Sequence, residues 1–194
     1  MNFTVVYVGF LIISVVHRIR RLSRSYAKKK EPAEVKKSLS YAIMLFVYLL
    51  IFLGSVVEYF FINYGKGVNL TVSCIGLFLY FFVILLRDEA IKCLGRYISP
   101  DVEIKRDHQL VKDGPYRYVR HPLALCVTLE LIALSLIPNS WFSFLGVILI
   151  FFPFILYRIR IEEKALIDKL GQEYLDYKKE VPVIFPIKCS RRRR

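Results

Sequence analysis

Apolar residues fall into five long stretches separated by polar segments, at 3–16, 39–62, 68–86, 122–137 and 141–157. The second stretch is nearly uninterrupted and, at about 1.5 Å per residue, is long enough to cross a hydrocarbon core of about 30 Å. The last two give only about 24–25 Å of helix each, and Pro138, Asn139 and Ser140 alone separate them. They predict a tight antiparallel hairpin. The pattern as a whole predicts an all-α integral membrane protein with five transmembrane helices.

The polar segments predict the orientation of these helices. Dense basic residues follow the first stretch, in the loop 17–38, and recur in the long polar region 87–121. Lys and Arg concentrate on the cytoplasmic side of membranes, so both loops and the C-terminus are expected there, with the N-terminus outside. A signal peptide carries its positive charge before the apolar stretch, so the reversed order here favours a retained helix. The segment NYGKGVN (63–69) is typical of a short external turn.

The polar C-terminal region also has a helical pattern. Leu166, Leu170, Tyr174 and Tyr177 recur at helical spacing. We therefore expect the fifth helix to extend beyond the membrane and a short amphipathic helix to follow it near the surface. The length favours one domain, 1–194, in two parts. These are helices 1 and 2 with their loop, 1–62, and a core of helices 3–5, the polar loop and the C-terminal helix, 68–187.

Composition narrows the functional classes. The formal charge of +13 accompanies 56% hydrophobic residues, an apolar fraction too high for a basic nucleic-acid-binding protein. With 15% aromatic residues and a mean hydropathy of +0.45, the chain is not intrinsically disordered. The four cysteines form no CxxC pair and the three histidines no HxxxH spacing, so we predict neither a metal site nor a disulfide framework.

Candidate chemistry concentrates in the loop 99–121 and at 157–163. Arg158 and Glu162 are four residues apart and share a helix face, either as a simple interfacial ion pair or as part of a site. His121 precedes Pro122, which is favoured at the first position of a helix. It therefore lies where free backbone N–H groups attract anions. It is either a capping residue without a ligand or part of a site for the carboxylate of a small ligand.

Two carboxylates lie within apolar stretches, where an ionisable group is costly and usually faces the protein interior. Glu58 and Glu130 are each expected to make structural hydrogen bonds, with a position near the substrate left open for Glu130. No GxGxxG motif occurs, and the one GxG, Gly65 and Gly67, is in the external turn. A Rossmann domain is therefore not expected, and any cofactor would bind between the membrane helices and the polar loop.

Two motifs together carry a family resemblance. They are HQLVKDGPYRYVRHP at 108–122 and RxxxEExxL at 158–166, followed by Gly171, Tyr174, Tyr177, Val181, Pro182 and Pro186. Across residues 99–187 the chain resembles the isoprenylcysteine carboxyl methyltransferase family, which shares an RHP…EE pattern with membrane phospholipid methyltransferases. It departs from the RHPxYxG form of many members by having Ala124 and Cys126 at the Tyr and Gly positions.

The resemblance implies a cofactor, a reaction and a set of site residues. The cofactor is S-adenosylmethionine, which leaves as S-adenosylhomocysteine, and the acceptor is the C-terminal carboxylate of an isoprenylated cysteine, in a protein or a small prenylcysteine analogue. By resemblance, Arg158 binds the acceptor carboxylate and Glu162 holds the cofactor. The other implied cofactor-binding residues are His108, Gln109, Leu110, Val111, Tyr116, His121, Pro122, Leu123, Ala124 and Leu125.

The chain is expected to be a multi-pass protein of the inner or endoplasmic reticulum membrane, with its active site facing the cytoplasm. Two alternatives stay open. A phospholipid N-methyltransferase would use the same cofactor but would need a base for the amine proton, whereas Arg158 favours an anionic acceptor. A non-catalytic transporter or assembly factor would not bind S-adenosylmethionine.

Overall fold

The computed structural model describes residues 3–27, 39–95 and 110–184, and every regular element in these ranges is helical. The helix bounds, in chain order, are as follows. The elements are α1 (Phe3–Ala27), α2 (Leu39–Glu58) with a π-helical turn at Tyr59–Asn63, α3 (Leu70–Leu94), a 3₁₀ turn at Gly114–Arg117, α4 (Pro122–Leu136), α5 (Trp141–Gly146), a π-helical turn at Val147–Phe151, α6 (Phe152–Leu170) and α7 (Gln172–Glu180).

Four helical segments in the described part of the chain are long and apolar enough to cross a membrane: Phe3–Arg20, Ala42–Asn63, Leu70–Leu94 and Trp141–Leu170. The all-α membrane architecture agrees with the sequence pattern in this coarser form. The helix at 122–137, expected as a fifth span, appears as the shorter apolar helix α4, so the count of five stays a prediction.

Two helices run further than their apolar stretches. Helix α1 continues into the basic run as far as Ala27, although a loop was expected from residue 17, and α3 continues to Leu94 beyond residue 86. Arg and Lys are good helix formers and no Pro or Gly interrupts either run, so the backbone hydrogen bonds simply continue. The end of the apolar stretch therefore marks the expected membrane boundary but not the end of the helix.

The expected hairpin between the last two apolar stretches is present. Helices α4 and α5 are joined by a turn at Asn139, whose φ of 60° lies in the left-handed region that asparagine tolerates. Glu58 of α2 accepts hydrogen bonds from the backbone N–H groups of Phe142 and Ser143 at 3.0 and 2.9 Å. These N–H groups have no partner within their own helix. The structural role expected for Glu58 is thus to cap the second arm of the hairpin.

Helix α4 lies at the centre of the bundle and packs closely against α3. A Cβ atom built on Gly76 of α3 would lie 2.9 Å from the backbone nitrogen of Ile137 and 3.1 Å from the carbonyl oxygen of Ala133. Ala133 itself is fully buried. Small residues on both helices allow this close approach, which fixes α4 against the bundle.

Glu130 is the second carboxylate within an apolar stretch, and its contacts are those of a buried ion pair. Its carboxylate accepts a hydrogen bond from Arg87 Nη2 of α3 at 2.6 Å and another from Arg18 Nη1 of α1 at 3.3 Å. The Arg18 guanidinium also lies 4.0 Å from the centre of the Tyr48 ring of α2. Glu130 therefore links α4 to α1 and α3, and Arg18 extends the contact to α2. This is the structural role anticipated for Glu130.

Candidate active site

The RHP motif stands at the entrance of α4. His121 is the residue before the helix and Pro122 the first residue within it, as the sequence indicated. The preceding 3₁₀ turn depends on Gly114, whose φ of 56° is unfavourable for other residues. A Cβ at Gly114 would also lie 2.5 Å from Cys93 Sγ on α3. This glycine therefore lets the motif approach the end of α3.

The chain after α7 returns to the RHP motif. The backbone N–H of Arg120 donates to the carbonyl of Pro182 at 2.9 Å, and that of His121 donates to the carbonyl of Val183 at 3.1 Å. Arg120 Nη1 also donates to the carbonyls of Lys178, at 3.0 Å, and Val181. We call residues 181–184 the C-terminal strap. It bonds the backbone N–H groups of Arg120 and His121, just before α4, and holds the motif in place.

Glu163 of α6 organises the charges around this motif. Its Oε1 accepts hydrogen bonds from Arg120, with Nε at 2.8 Å and Nη2 at 2.6 Å, and its Oε2 accepts from Lys178 Nζ at 2.7 Å. His121 Nε2 lies 3.5 Å from the same Oε1. The side chains of Arg120, His121 and Glu163 are all at most 7% exposed. The site thus contains a buried carboxylate that the motif-based assignment did not include.

A signal for Glu163 was present in the sequence. Ile155 and Ile159 precede it at steps of four, and all three residues are buried on one stripe of α6 together with Arg158. A carboxylate on the buried stripe of a helix requires a cationic partner. The helical spacing by itself instead favours Glu162, which shares a face with Arg158 at a spacing of four.

Arg158 and Glu162 lie one turn apart on α6. Arg158 is 8% exposed and Glu162 is half-buried. Burial raises the pKa of the Tyr116 hydroxyl well above its usual value, and the negative charge of the nearby Glu162 raises this pKa further. The structure therefore brings Glu162 and Tyr116, which come from the two separate motifs, to one place.

Helix α7 closes the site from the C-terminal side. The Tyr177 hydroxyl donates a hydrogen bond to the carbonyl of Tyr116 at 2.6 Å, and burial raises the pKa of Tyr177 to about 12. The ring of Tyr174 packs against that of Tyr177 with centroids 6.0 Å apart. The Tyr174 hydroxyl is buried and has no hydrogen-bond partner among the residues that the structure describes.

Most of the other residues implied by the resemblance lie just before the 3₁₀ turn or at the start of α4. Leu110 and Val111 are half-buried just before the turn, and Leu123, Ala124 and Leu125 are half-buried in the first turn of α4. Cys126, at the position where many family members have Gly, is fully buried. His108 and Gln109 lie outside the described residues.

The chain matches known proteins over the region that forms this site. The model of the isoprenylcysteine carboxyl methyltransferase (ICMT) family matches residues 74–168. The protein-S-isoprenylcysteine O-methyltransferase of Schizosaccharomyces pombe is 35% identical over 104 residues, which are 53% of this chain and 44% of the relative. That of Saccharomyces cerevisiae is 36% identical over 102 residues, 52% of this chain and 43% of the relative. The chain thus spans under half the length of both relatives.

A solved structure extends the similarity to the fold. The structure of the eukaryotic intramembrane Ras methyltransferase ICMT superposes with a TM-score of 0.65 at 25% sequence identity, covering 91% of this chain and 64% of that one. The 74–168 match contains the RHP motif, Arg158 and both adjacent glutamates. Over this region, both the sequence and the fold are similar to those of the isoprenylcysteine carboxyl methyltransferase family.

Proposed function

We propose that the protein is a membrane-embedded S-adenosylmethionine-dependent methyltransferase that esterifies the C-terminal carboxylate of an isoprenylated cysteine. The observation that carries this proposal is the meeting of the two family motifs. The RHP motif of α4 and the RxxxEE motif of α6 are joined by the buried pair of Arg120 and Glu163, 2.6 Å apart. Both yeast relatives that match this region are named for the same reaction.

The residues present fit the cofactor. The amino-acid end of S-adenosylmethionine carries a carboxylate and an ammonium group, so it needs a local anion site beside a carboxylate. The free N–H groups at the start of α4, with His121, would hold the carboxylate. Glu162 would hold the ammonium group, and Tyr116 with Leu110 and Val111 would pack against the rest. The buried Tyr174 hydroxyl, which has no partner among the described residues, supports a polar ligand here.

The protein's own contribution to the reaction is positioning. When bound, S-adenosylmethionine supplies a methyl group that bonds to a carboxylate oxygen as its carbon–sulfur bond breaks, releasing S-adenosylhomocysteine. A terminal carboxyl with a pKa of about 3.5 is already ionised at neutral pH, so no general base is required. Arg158 would orient the acceptor carboxylate with its planar guanidinium. Holding both reactants in line and away from water lowers the barrier.

The architecture suits two reactants of opposite solubility. S-adenosylmethionine is polar and would enter from the cytoplasm, whereas the prenyl chain partitions into the bilayer, at about 0.8 kcal/mol per buried CH₂. The RHP motif lies at the same end of the bundle as the basic segments that the sequence assigns to the cytoplasm. We therefore propose an active site at the cytoplasmic face, reached by one reactant from water and by the other from lipid.

The decisive experiment offers the purified protein radiolabelled S-adenosylmethionine with either N-acetyl-farnesylcysteine or phosphatidylethanolamine. Label released by base from the farnesylcysteine, as a methyl ester, is the expected result. Label on the lipid alone would overturn the proposal in favour of a phospholipid N-methyltransferase. No label and no equilibrium binding of S-adenosylmethionine would instead favour a non-catalytic membrane protein.

A further inference from the structure

We propose that Glu163 is a positioning residue for this methyl transfer: with Arg120 it fixes the His121 imidazole and the start of α4, and through them the bound cofactor. The inference rests on the proposed function for its effect on catalysis. The contact itself, between the Glu163 carboxylate and the His121 ring, is testable without any activity. Neither the family motifs nor the sequence pattern gives Glu163 a role separate from that of Glu162.

The Glu163 carboxylate is directed toward protein partners. Its Oε1 is held by Arg120 and faces His121, and its Oε2 is held by Lys178. Successive residues of an α-helix project about 100° apart, so the neighbouring Glu162 points elsewhere. The two adjacent carboxylates therefore have different roles. Glu162 remains available for a reactant, whereas both oxygens of Glu163 bind groups of the protein.

The His121 ring lies beside the Glu163 carboxylate. Its Nε2 is buried, has no hydrogen-bond partner among the described residues and lies 3.5 Å from the carboxylate oxygen of Glu163. A nitrogen beside a carboxylate is favoured when it carries the hydrogen. In a neutral imidazole, Nδ1 is then the acceptor. A carboxylate behind a histidine sets the tautomer and orientation of histidine ligands in metal sites in the same way. Glu163 would thus decide which His121 nitrogen can donate.

Arg120 connects Glu163 to the rest of the site. Arg120 donates at once to Glu163 of α6 and to the carbonyls of Lys178 and Val181. Its own backbone N–H is held by Pro182 of the C-terminal strap. The buried Arg120–Glu163 pair therefore joins α4, α6, α7 and the strap at the point where the cofactor's amino-acid end is expected. Loss of the Glu163 charge should therefore displace the His121 side chain while the helical bundle stays folded.

The test compares Glu163→Gln with Glu180→Gln, which removes the same charge from an exposed position at the end of α7. Full-length protein labelled with ¹⁵N-histidine is studied in detergent micelles, and His121→Asn identifies the His121 signals. We expect Glu163→Gln to shift the imidazole ¹⁵N signals of His121 and to raise the Kd for S-adenosylmethionine at least 10-fold. Glu180→Gln should change neither, and kcat at saturating cofactor should fall less than kcat/KM in Glu163→Gln.

Unchanged His121 signals in a folded Glu163→Gln protein, or cofactor affinity within twofold of wild type, would overturn the inference. If Glu163→Gln does not fold, Arg120→Lys carries the test, because it keeps a cation beside Glu163 but loses the planar two-point contact. It should raise the same Kd and shift the same signals, and wild-type behaviour would count against the proposal. A wild-type protein that methylates neither acceptor would overturn the proposed function, while the ¹⁵N signals would still decide the Glu163–His121 contact.

Discussion

At the scale of single residues, side chains that are close in sequence differ in their burial and contacts at the site. Glu162 is half-buried near Tyr116, whereas Glu163 is buried against Arg120 and Lys178. Arg158 is 8% exposed, whereas Arg160, two residues later on the same helix, is exposed to solvent. The rotation of the helix, rather than residue type, separates the residues proposed to act on reactants from the others.

Arg158→Ala should abolish methyl transfer, with kcat/KM lowered at least about 100-fold. A reactant misplaced by about 1 Å already loses this factor in rate. Binding of S-adenosylmethionine, measured by calorimetry, should stay within a few-fold of wild type since Arg158 is assigned to the acceptor. Arg160→Ala is the matched control and should retain activity. Equal loss of cofactor binding in Arg158→Ala, or rescue of activity by Arg158→Lys, would show that the assignment is wrong.

At the scale of elements, close backbone contacts and a few polar bonds set how helices meet. Helix α3 approaches α4 closely at Gly76, and α7 is fixed to the 3₁₀ turn by the hydrogen bond from Tyr177 to Tyr116. Tyr174 and Tyr177 are both buried on α7, yet only the second has a hydroxyl partner among the described residues. These contacts hold the two motifs in register.

Tyr177→Phe should lower the free energy of unfolding by about 1 kcal/mol, because the buried carbonyl of Tyr116 loses its donor. Tyr174→Phe should change it by less than about 0.5 kcal/mol, because it removes a hydroxyl whose burial is not compensated within the described structure. Both variants are compared with wild type by unfolding in the same mixed micelles. Losses of equal size would contradict this difference between the two tyrosines.

Gly76→Ala should destabilise the fold by about 1–3 kcal/mol, because the new Cβ would lie 2.9 Å from a backbone atom of Ile137 and would push α3 and α4 apart. Gly9→Ala on α1 is the control, since its Cβ would meet nothing within 4 Å. Alanine is also the better helix former, so this variant should be neutral or slightly more stable. The midpoint of unfolding in each variant measures the effect, and equal midpoints would refute the close packing.

At the scale of the whole molecule, four membrane-length helical segments and the short helix α4 place the two motifs at one end of the bundle. The turn around Lys66, between α2 and α3, lies beside the α4–α5 hairpin, because Asn63 and Asn69 donate hydrogen bonds to Asn139. Helix α7 lies at the other end of α4, where Arg120 donates to the carbonyl of Lys178. Because the bundle spans the membrane, these two exposed regions lie on opposite sides of it. A site that faces the cytoplasm, as proposed, places Lys66 outside and α7 inside.

Cysteines introduced at Lys66 and at Glu180, both exposed positions, test this orientation. In intact cells a membrane-impermeant maleimide should label Lys66→Cys above the background of the parent protein, because the turn is expected outside. It should label Glu180→Cys only after the membrane is permeabilised. The reverse pattern would place the site on the other side and would require another route for S-adenosylmethionine.

Much of this organisation follows from the sequence alone, because local physical rules decide it. Long apolar stretches predict membrane helices, a three-residue polar break predicts the α4–α5 hairpin, and Pro122 predicts the start of α4. The ends of α1 and α3 were placed too early, since helix formation does not stop where the apolar stretch does. The hydropathy of a segment indicates whether lipid or water surrounds it, whereas backbone hydrogen bonding determines whether the segment is helical.

The sequence by itself determined the membrane character, the order of the helices and the two motifs, because each depends on residues close together in the chain. Only the tertiary structure decided which acidic residue faces the RHP motif. Glu163 lies 43 residues from Arg120 in sequence, and the two meet because α6 packs against the segment that leads into α4. The strap at 181–184 closes on the same motif from 61 residues away. A buried charge is stable only beside its partner, and that partner is fixed by how the helices pack.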